Sequence, residues 1–364
     1  MIKKTLIIFS LIILLTGCSA KNKPEEIAFS SWGSVSEVGI IKNAISNFEH
    51  ENPDIKVKFI HIPQEYTRKI HLLFASNTEP DVIFINNLVL PVYESKLEDV
   101  SSFIKKDEYY NQAIDCMSYK GRLLAVPRDV SNQVFYINTD MVKLADNNTS
   151  MEELLAVAKN ASKKGIFGFS SEGDIYWAIP YMNYFGGGIY DKEGNYIAES
   201  EASLEGINFY KDLQYKYKVA PTKSQIGSST TAQMFLDKKI AIYLSGRWMY
   251  PKISEKADFG WKVITFPSGK SPQPCDASGW AIAKASKHKD AAIKFVKYMS
   301  DEKTSEYFAQ TGLIVPARIQ ASEVLKNGNH NEKAFLAAIK ISQSRTVSRD
   351  YKKITDKLNM KFDL

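Results

Sequence analysis

An α/β fold in two lobes is the architecture this sequence predicts, on three observations. Residues 27–85 alternate strand and helix patterns in a βαβ series. A second series begins at Leu123. The 347 residues that follow an N-terminal leader of 17 exceed what one small core organises. Ile27–Ser31 reads as a strand ending at Trp32-Gly33. Val38–Phe48 sets Ile41, Ala44, Ile45 and Phe48 at helical spacing, and Asn52-Pro53 stops it. Ile55–Ile62 alternates as a strand, and Tyr66–Ala75 is helical. Pro80–Ile85 is short and almost wholly apolar, as in a strand buried on both faces of a parallel sheet. In the second series, Leu123–Pro127 and Gln133–Ile137 read as strands. Thr149 with Glu152 and Ser150 with Glu153 offer overlapping capping boxes for a helix through Lys159. Phe167–Ser170, Ile240–Leu244 and Trp280–Ala283 are β-like, and Leu204–Leu213, Lys289–Met299 and Tyr351–Leu358 are helical.

The leader reads as a lipoprotein export signal. Lys3 and Lys4 precede the apolar run Leu6–Leu15, and Leu15-Thr16-Gly17-Cys18 fits a lipobox. The run is too short for a confident membrane span. Cleavage before Cys18 leaves its sulfur to carry lipid, palmitate for example. This tethers the protein to the outer face of the cytoplasmic membrane through residues 18–26. An uncleaved anchor, or a signal peptide that happens to hold a cysteine, is the plainer reading of the same residues.

Basic and acidic residues number 47 and 41, and the net charge of +6 is spread singly and in pairs, so nucleic acid is not an expected partner. Five histidines are scattered without an HExxH, and Cys116 and Cys275 lie in no metal-ligand spacing. No metal or other cofactor is expected, and the two cysteines read as separate thiols.

Several segments, weak singly, are specific in their order. Glu79-Pro80-Asp81-Val82 opens a strand; Gly121–Pro127 reads GRLLAVP; Val134–Asp140 reads VFYINTD. Phe185-Gly186-Gly187, Phe235–Ala241 with Gly246-Arg247-Trp248, Gly279–Lys284 and Gly312–Arg318 follow. Together they resemble the family 1 extracellular solute-binding proteins. These are the substrate-capture subunits of carbohydrate ATP-binding-cassette importers, related to maltose-binding protein. Asn77, where glycine is common, and Lys239 depart from the pattern at surface turns.

The resemblance implies a periplasmic-binding-protein-like fold of type II, with ligand closed between two lobes joined by crossing strands. Residues 27–127 with 278–316 are expected in one lobe, and 128–277 with 317–364 in the other. Crossings are expected near Ala125–Asp129, Phe266–Ser278 and Val315–Arg318. The implied partners are a carbohydrate and the permease of an importer; the chain is expected to act as a monomer and to touch membrane only through its anchor.

A sugar presents flat C–H faces that suit aromatic rings, and hydroxyls that suit planar polar side chains. Candidates at expected lobe edges are Trp32, Glu65, Asn86, Asn87, Asp129, Asn132, Gln133, Tyr184, Gly186, Gly187, Arg247, Trp248, Ser278, Gly279, Trp280 and Arg318. The competing roles are core packing for the aromatics, turn residues for Asn86 and Asn87, helix capping for Glu65, and ion pairing with Arg128 or Arg318 for Asp129. A glycosidase needs two carboxylates facing across a cleft, and no such pair is legible, so binding without catalysis is expected. Other solutes on the same fold (polyamine, phosphate ester, iron or peptide), or a sensor role, are the alternatives.

Overall fold

The computed structural model describes residues 23–144 and 149–364; the leader and Cys18 lie outside them. In chain order the strands are β1 (Glu25–Ser31), β2 (Ile55–His61), β3 (Val82–Asn86), a small hairpin of β4 (Ser118–Tyr119) and β5 (Arg122–Leu123), and β6 (Val126–Asn132). They continue as β7 (Val134–Asn138), β8 (Phe167–Phe169), β9 (Ile240–Ser245), β10 (Trp261–Thr265), β11 (Gln273–Ile282) and β12 (Ser342–Ser344).

Two sheets divide them. The first runs β12-β11-β3-β1-β2, with β6 also paired to β11. β1 lies parallel to β2 and β3, as the βαβ pattern requires, while β11 closes the edge of β3 in antiparallel register. Between neighbours on both sides, Val82, Ile83, Phe84 and Ile85 are all buried, which explains the unbroken apolar run. The second sheet runs β10-β7-β9-β8. Phe29, Phe48, Phe84, Trp280 and Phe295 pack in the core around the first sheet, and Phe135, Phe169, Tyr181 and Phe266 in the core beside the second.

The molecule is two-lobed, and the chain passes between sheets along β6 and β11. β6 leads directly into β7, and β11 follows β10. The two are antiparallel partners, with a register shift between Ser278 and Gly279. β12 pairs in parallel with the start of β11, on the side opposite β6. After β11, the helices Lys289–Met299 and Glu302–Gln310 stay with the first sheet. Past residue 317 the chain bonds to segments around the first sheet: Arg318 Nε donates to the Ser300 carbonyl, and the Tyr110 and Ser322 hydroxyls meet at 2.7 Å. Only the helix His330–Lys340 turns back to β10.

Local chemistry accounts for the helix ends. Ser150, of the two expected caps, accepts from the Glu153 amide at the start of Met151–Ala161, and Ser34 does the same for Glu37 ahead of Val35–Glu51. Glu65 precedes Tyr66–Ala75 without a side-chain cap; its carboxylate pairs with Arg68 instead.

Candidate ligand cleft

The C-terminal ends of β1 and β3 deliver Trp32, Asn86 and Asn87 to the same place as the turn after β9 delivers Arg247 and Trp248. These residues enclose a cavity of about 250 Å³ with Glu37, Arg128, Asp129, Ser131, Tyr176, Asp276, Ser278 and the apolar stretch Leu313–Val315. Seven of the candidates are therefore gathered: Trp32, Asn86, Asn87, Asp129, Arg247, Trp248 and Ser278.

Each aromatic wall has a cause. Trp32 is half-buried, held edge-on by Tyr66 at 5.0 Å and against Phe84 at 4.2 Å between ring centroids. Trp248 is 44% exposed and lies over Gly246, where an added Cβ would sit 1.9 Å from its ring. The Gly246 carbonyl accepts from the buried Tyr136 hydroxyl, fixing the turn.

Two polar networks floor the cavity. In the first, Arg128 donates to Asp129 at 2.8 Å and to Glu37 at 3.1 Å, with its guanidinium 4.1 Å from the Phe84 ring. Asp129 also accepts from the Ser278 amide. Burial raises the Asp129 carboxyl above the usual carboxylate range, although Arg128 and that amide act the other way. In the second, Asp276 takes a two-pronged pair from Arg345 at 2.9 and 3.0 Å and accepts from Asn87 and Tyr176. Burial and the Asp276 charge push the Tyr176 hydroxyl well up, so it remains a donor. Burial alone would lower Arg345, but Asp276, with Tyr351 and Tyr176, together outweigh it and hold the guanidinium charged. Arg247 is buried, bonded to Glu332 and to the Gly312 carbonyl, with aromatic rings of Tyr250 and Phe335 within 4.6 Å. Among the described residues, Asn86 Oδ1, Ser131 Oγ and Arg247 Nη2 are buried in this lining without a protein partner.

The other candidates lie elsewhere. Trp280 is fully buried between Phe29 and Phe84, and Gly279 packs on the Val126 backbone; both belong to the core. Asn132 donates to the Ala338 carbonyl. Gln133 is buried with neither amide atom bonded. Tyr184 lines a separate depression with Thr149 and Ser150. Gly186 and Gly187 border a cavity of about 610 Å³ that shares no lining residue with the cleft and holds no tryptophan. Arg318 pairs with Glu108 and stacks on Tyr109. Glu65 borders an apolar depression of about 580 Å³ that shares Trp32 and Asn86 with the cleft. Cys116 and Cys275 are both free thiols, as read from sequence, but they are neighbours in the fold: the Cys116 sulfur reaches the Cys275 carbonyl at 3.5 Å.

Glu37, Tyr176 and Asp276 carry polar groups into the cleft yet sit in no sequence motif; Glu37 and Tyr176 come from the first turns of the helices Val35–Glu51 and Ile175–Tyr184, and Asp276 from the pairing of β11 with β6. No group of three or more potential metal ligands occurs among the described residues, and none of their helices is long and apolar enough to cross a membrane.

The sequence profile of the bacterial extracellular solute-binding proteins matches residues 43–334. The galactooligosaccharide-binding protein of Bacillus subtilis is 25% identical, over 82% of this chain and 75% of its own. The maltodextrin-binding protein of the same organism is 24% identical, over 88% and 82%. A Listeria monocytogenes ABC substrate-binding protein, solved in complex with cycloalternan, superposes with a TM-score of 0.86 at 22% identity, covering 94% of this chain and 93% of that one. The profile spans most of the chain and the two-lobed architecture agrees with it: this chain belongs to the bacterial extracellular solute-binding protein family.

Proposed function

We propose that the protein captures a sugar or oligosaccharide between its lobes and delivers it to the permease of an ABC importer. The observation that carries the reading is the pairing of Trp32 and Trp248, from the two sheets, around one cavity with hydrogen-bonding side chains between them. Relatives named for galactooligosaccharide and maltodextrin binding support the ligand class.

The charges favour a neutral ligand. Arg128 is matched by Asp129 and Glu37, and the Arg247 charge by Glu332, so neither guanidinium brings an unmatched charge to a uronate or phosphate, while Arg247 Nη2 stays open as a donor to a neutral hydroxyl. Rings would cover the C–H faces while Asn86, Ser131 and Ser278 meet hydroxyls. Ligand shifts the protein toward a closed form only by its extra affinity for that form, and closure around the sugar supplies it. The protein performs no chemistry on the sugar. It acts as a monomer, held outside the cytoplasmic membrane by lipid on Cys18, which keeps it near its permease. β6, β11 and β12 divide the lobes, and residues 317–329 belong with the first.

A thermal-shift screen tests this with galacto- and malto-oligosaccharides, monosaccharides and uronates, and with polyamines and phosphate esters as controls. A saturating rise in melting temperature with a neutral sugar is expected. A rise with a control alone would overturn the ligand class.

A further inference from the structure

Cys116 and Cys275 lie 159 residues apart in sequence and side by side in the fold. Cys116 ends the helix Asn111–Cys116, which packs across β6, β11 and β12, the strands that run between the lobes. Cys275 sits on β11 in register with Asn132 of β6 and Ser344 of β12. Its next neighbour in sequence, Asp276, anchors Arg345. Both cysteines are buried, at 3% and 0% exposure. The arrangement brings two otherwise unused thiols to the junction of the lobes.

We propose that Cys116 and Cys275 form a reversible disulfide that staples this helix to the crossing strand, with a low-molecular-weight disulfide as the oxidant. One cysteine thiolate attacks the small disulfide, forms a mixed disulfide and releases one small thiolate. The second cysteine thiolate attacks the protein-bound sulfur and releases the other. Two electrons pass to the small disulfide, and the two protons given up by the cysteines appear on the released thiols. The closed loop is long, so the bond restricts the unfolded chain strongly. In the folded protein the Cys116 thiol is pushed well above its usual range, first by the Cys275 thiol and then by burial. Exchange needs a thiolate and access, so the bond forms, and is reversed, while the chain is unfolded or folding and exchanges slowly in the folded protein. An exported location supplies oxidising surroundings, but the chemistry does not depend on it.

The test uses the full chain carrying Cys18→Ser, in which Cys116 and Cys275 are the remaining cysteines. It is refolded with oxidised or with reduced glutathione, then denatured, and its thiols are counted with a chromogenic disulfide reagent. Oxidised refolding is expected to leave no free thiol, with a single-chain band on a non-reducing gel, and reduction to restore both. The oxidised form should melt higher by about 5 °C or more. Cys116→Ser and Cys275→Ser should melt alike in the two buffers. Two free thiols after oxidised refolding, bonding only between chains, or equal melting of the oxidised and reduced parent would each overturn the proposal.

Discussion

Gly246 leaves room for the Trp248 ring to pack against the turn after β9. Its φ of −115° suits any residue, so the requirement is space and not backbone conformation. Gly246→Ala should therefore displace the ring with little loss of stability. Ligand binding, followed by tryptophan fluorescence, should weaken about tenfold, a cost on the order of 1 kcal/mol for one aromatic contact. Asp129 makes a pH prediction. Its folded carboxyl is raised, first by burial, so between the unfolded value of about 3.9 and the raised value the folded state binds more protons. Its contribution is most favourable below the unfolded value and is lost as pH rises through that window. Denaturant melts of Asp129→Asn against the parent should differ in slope there, with the parent falling more steeply as pH increases; identical slopes would contradict this assignment. Trp280 shows how the same residue type parts company with Trp248. Both follow or neighbour glycine, but Trp280 lies on β11 where the strand faces Phe29 and Phe84, and a motif carries no information on which face a strand presents.

At the scale of elements, the junction depends on β11. Its Asp276 receives Arg345 from beyond β12, Asn87 from the end of β3 and Tyr176 from the helix Ile175–Tyr184. Asp276→Leu leaves Arg345, whose side chain is 6% exposed, charged and unpaired, and should cost about 3–5 kcal/mol in denaturant unfolding. Arg345→Met with Asp276→Leu together should recover part of that loss; no recovery would show that the pair's neighbours, and not the charge, set the cost. These elements were unevenly legible. Lys289–Met299 and Tyr66–Ala75 follow from apolar spacing alone. Ile175–Tyr184 does not: Pro180 lies inside it, and nearly all its residues are buried, so no polar face marks a helix. β11 begins seven residues before Trp280, through Gln273–Gly279, a polar, Pro- and Gly-bearing stretch made into strand by its partners β6, β3 and β12.

For the whole molecule, the two-lobed plan was readable because each lobe repeats strand–helix alternation. The cleft was readable in part, because residues following strands in such sheets gather at one end. Asn86, Asn87, Arg247 and Trp248 are of that kind. Glu37, Tyr176 and Asp276 needed the fold, since their meeting depends on distant segments. The account's central claim is that a neutral sugar is held between Trp32 and Trp248. Calorimetric titration of the full chain with galacto- and malto-oligosaccharides, in the parent and in Trp248→Ala, tests it most directly. The predicted result is saturable binding to one sugar series that weakens about tenfold in the variant. Folded parent that binds neither series, or binding that Trp248→Ala leaves unchanged, would contradict it.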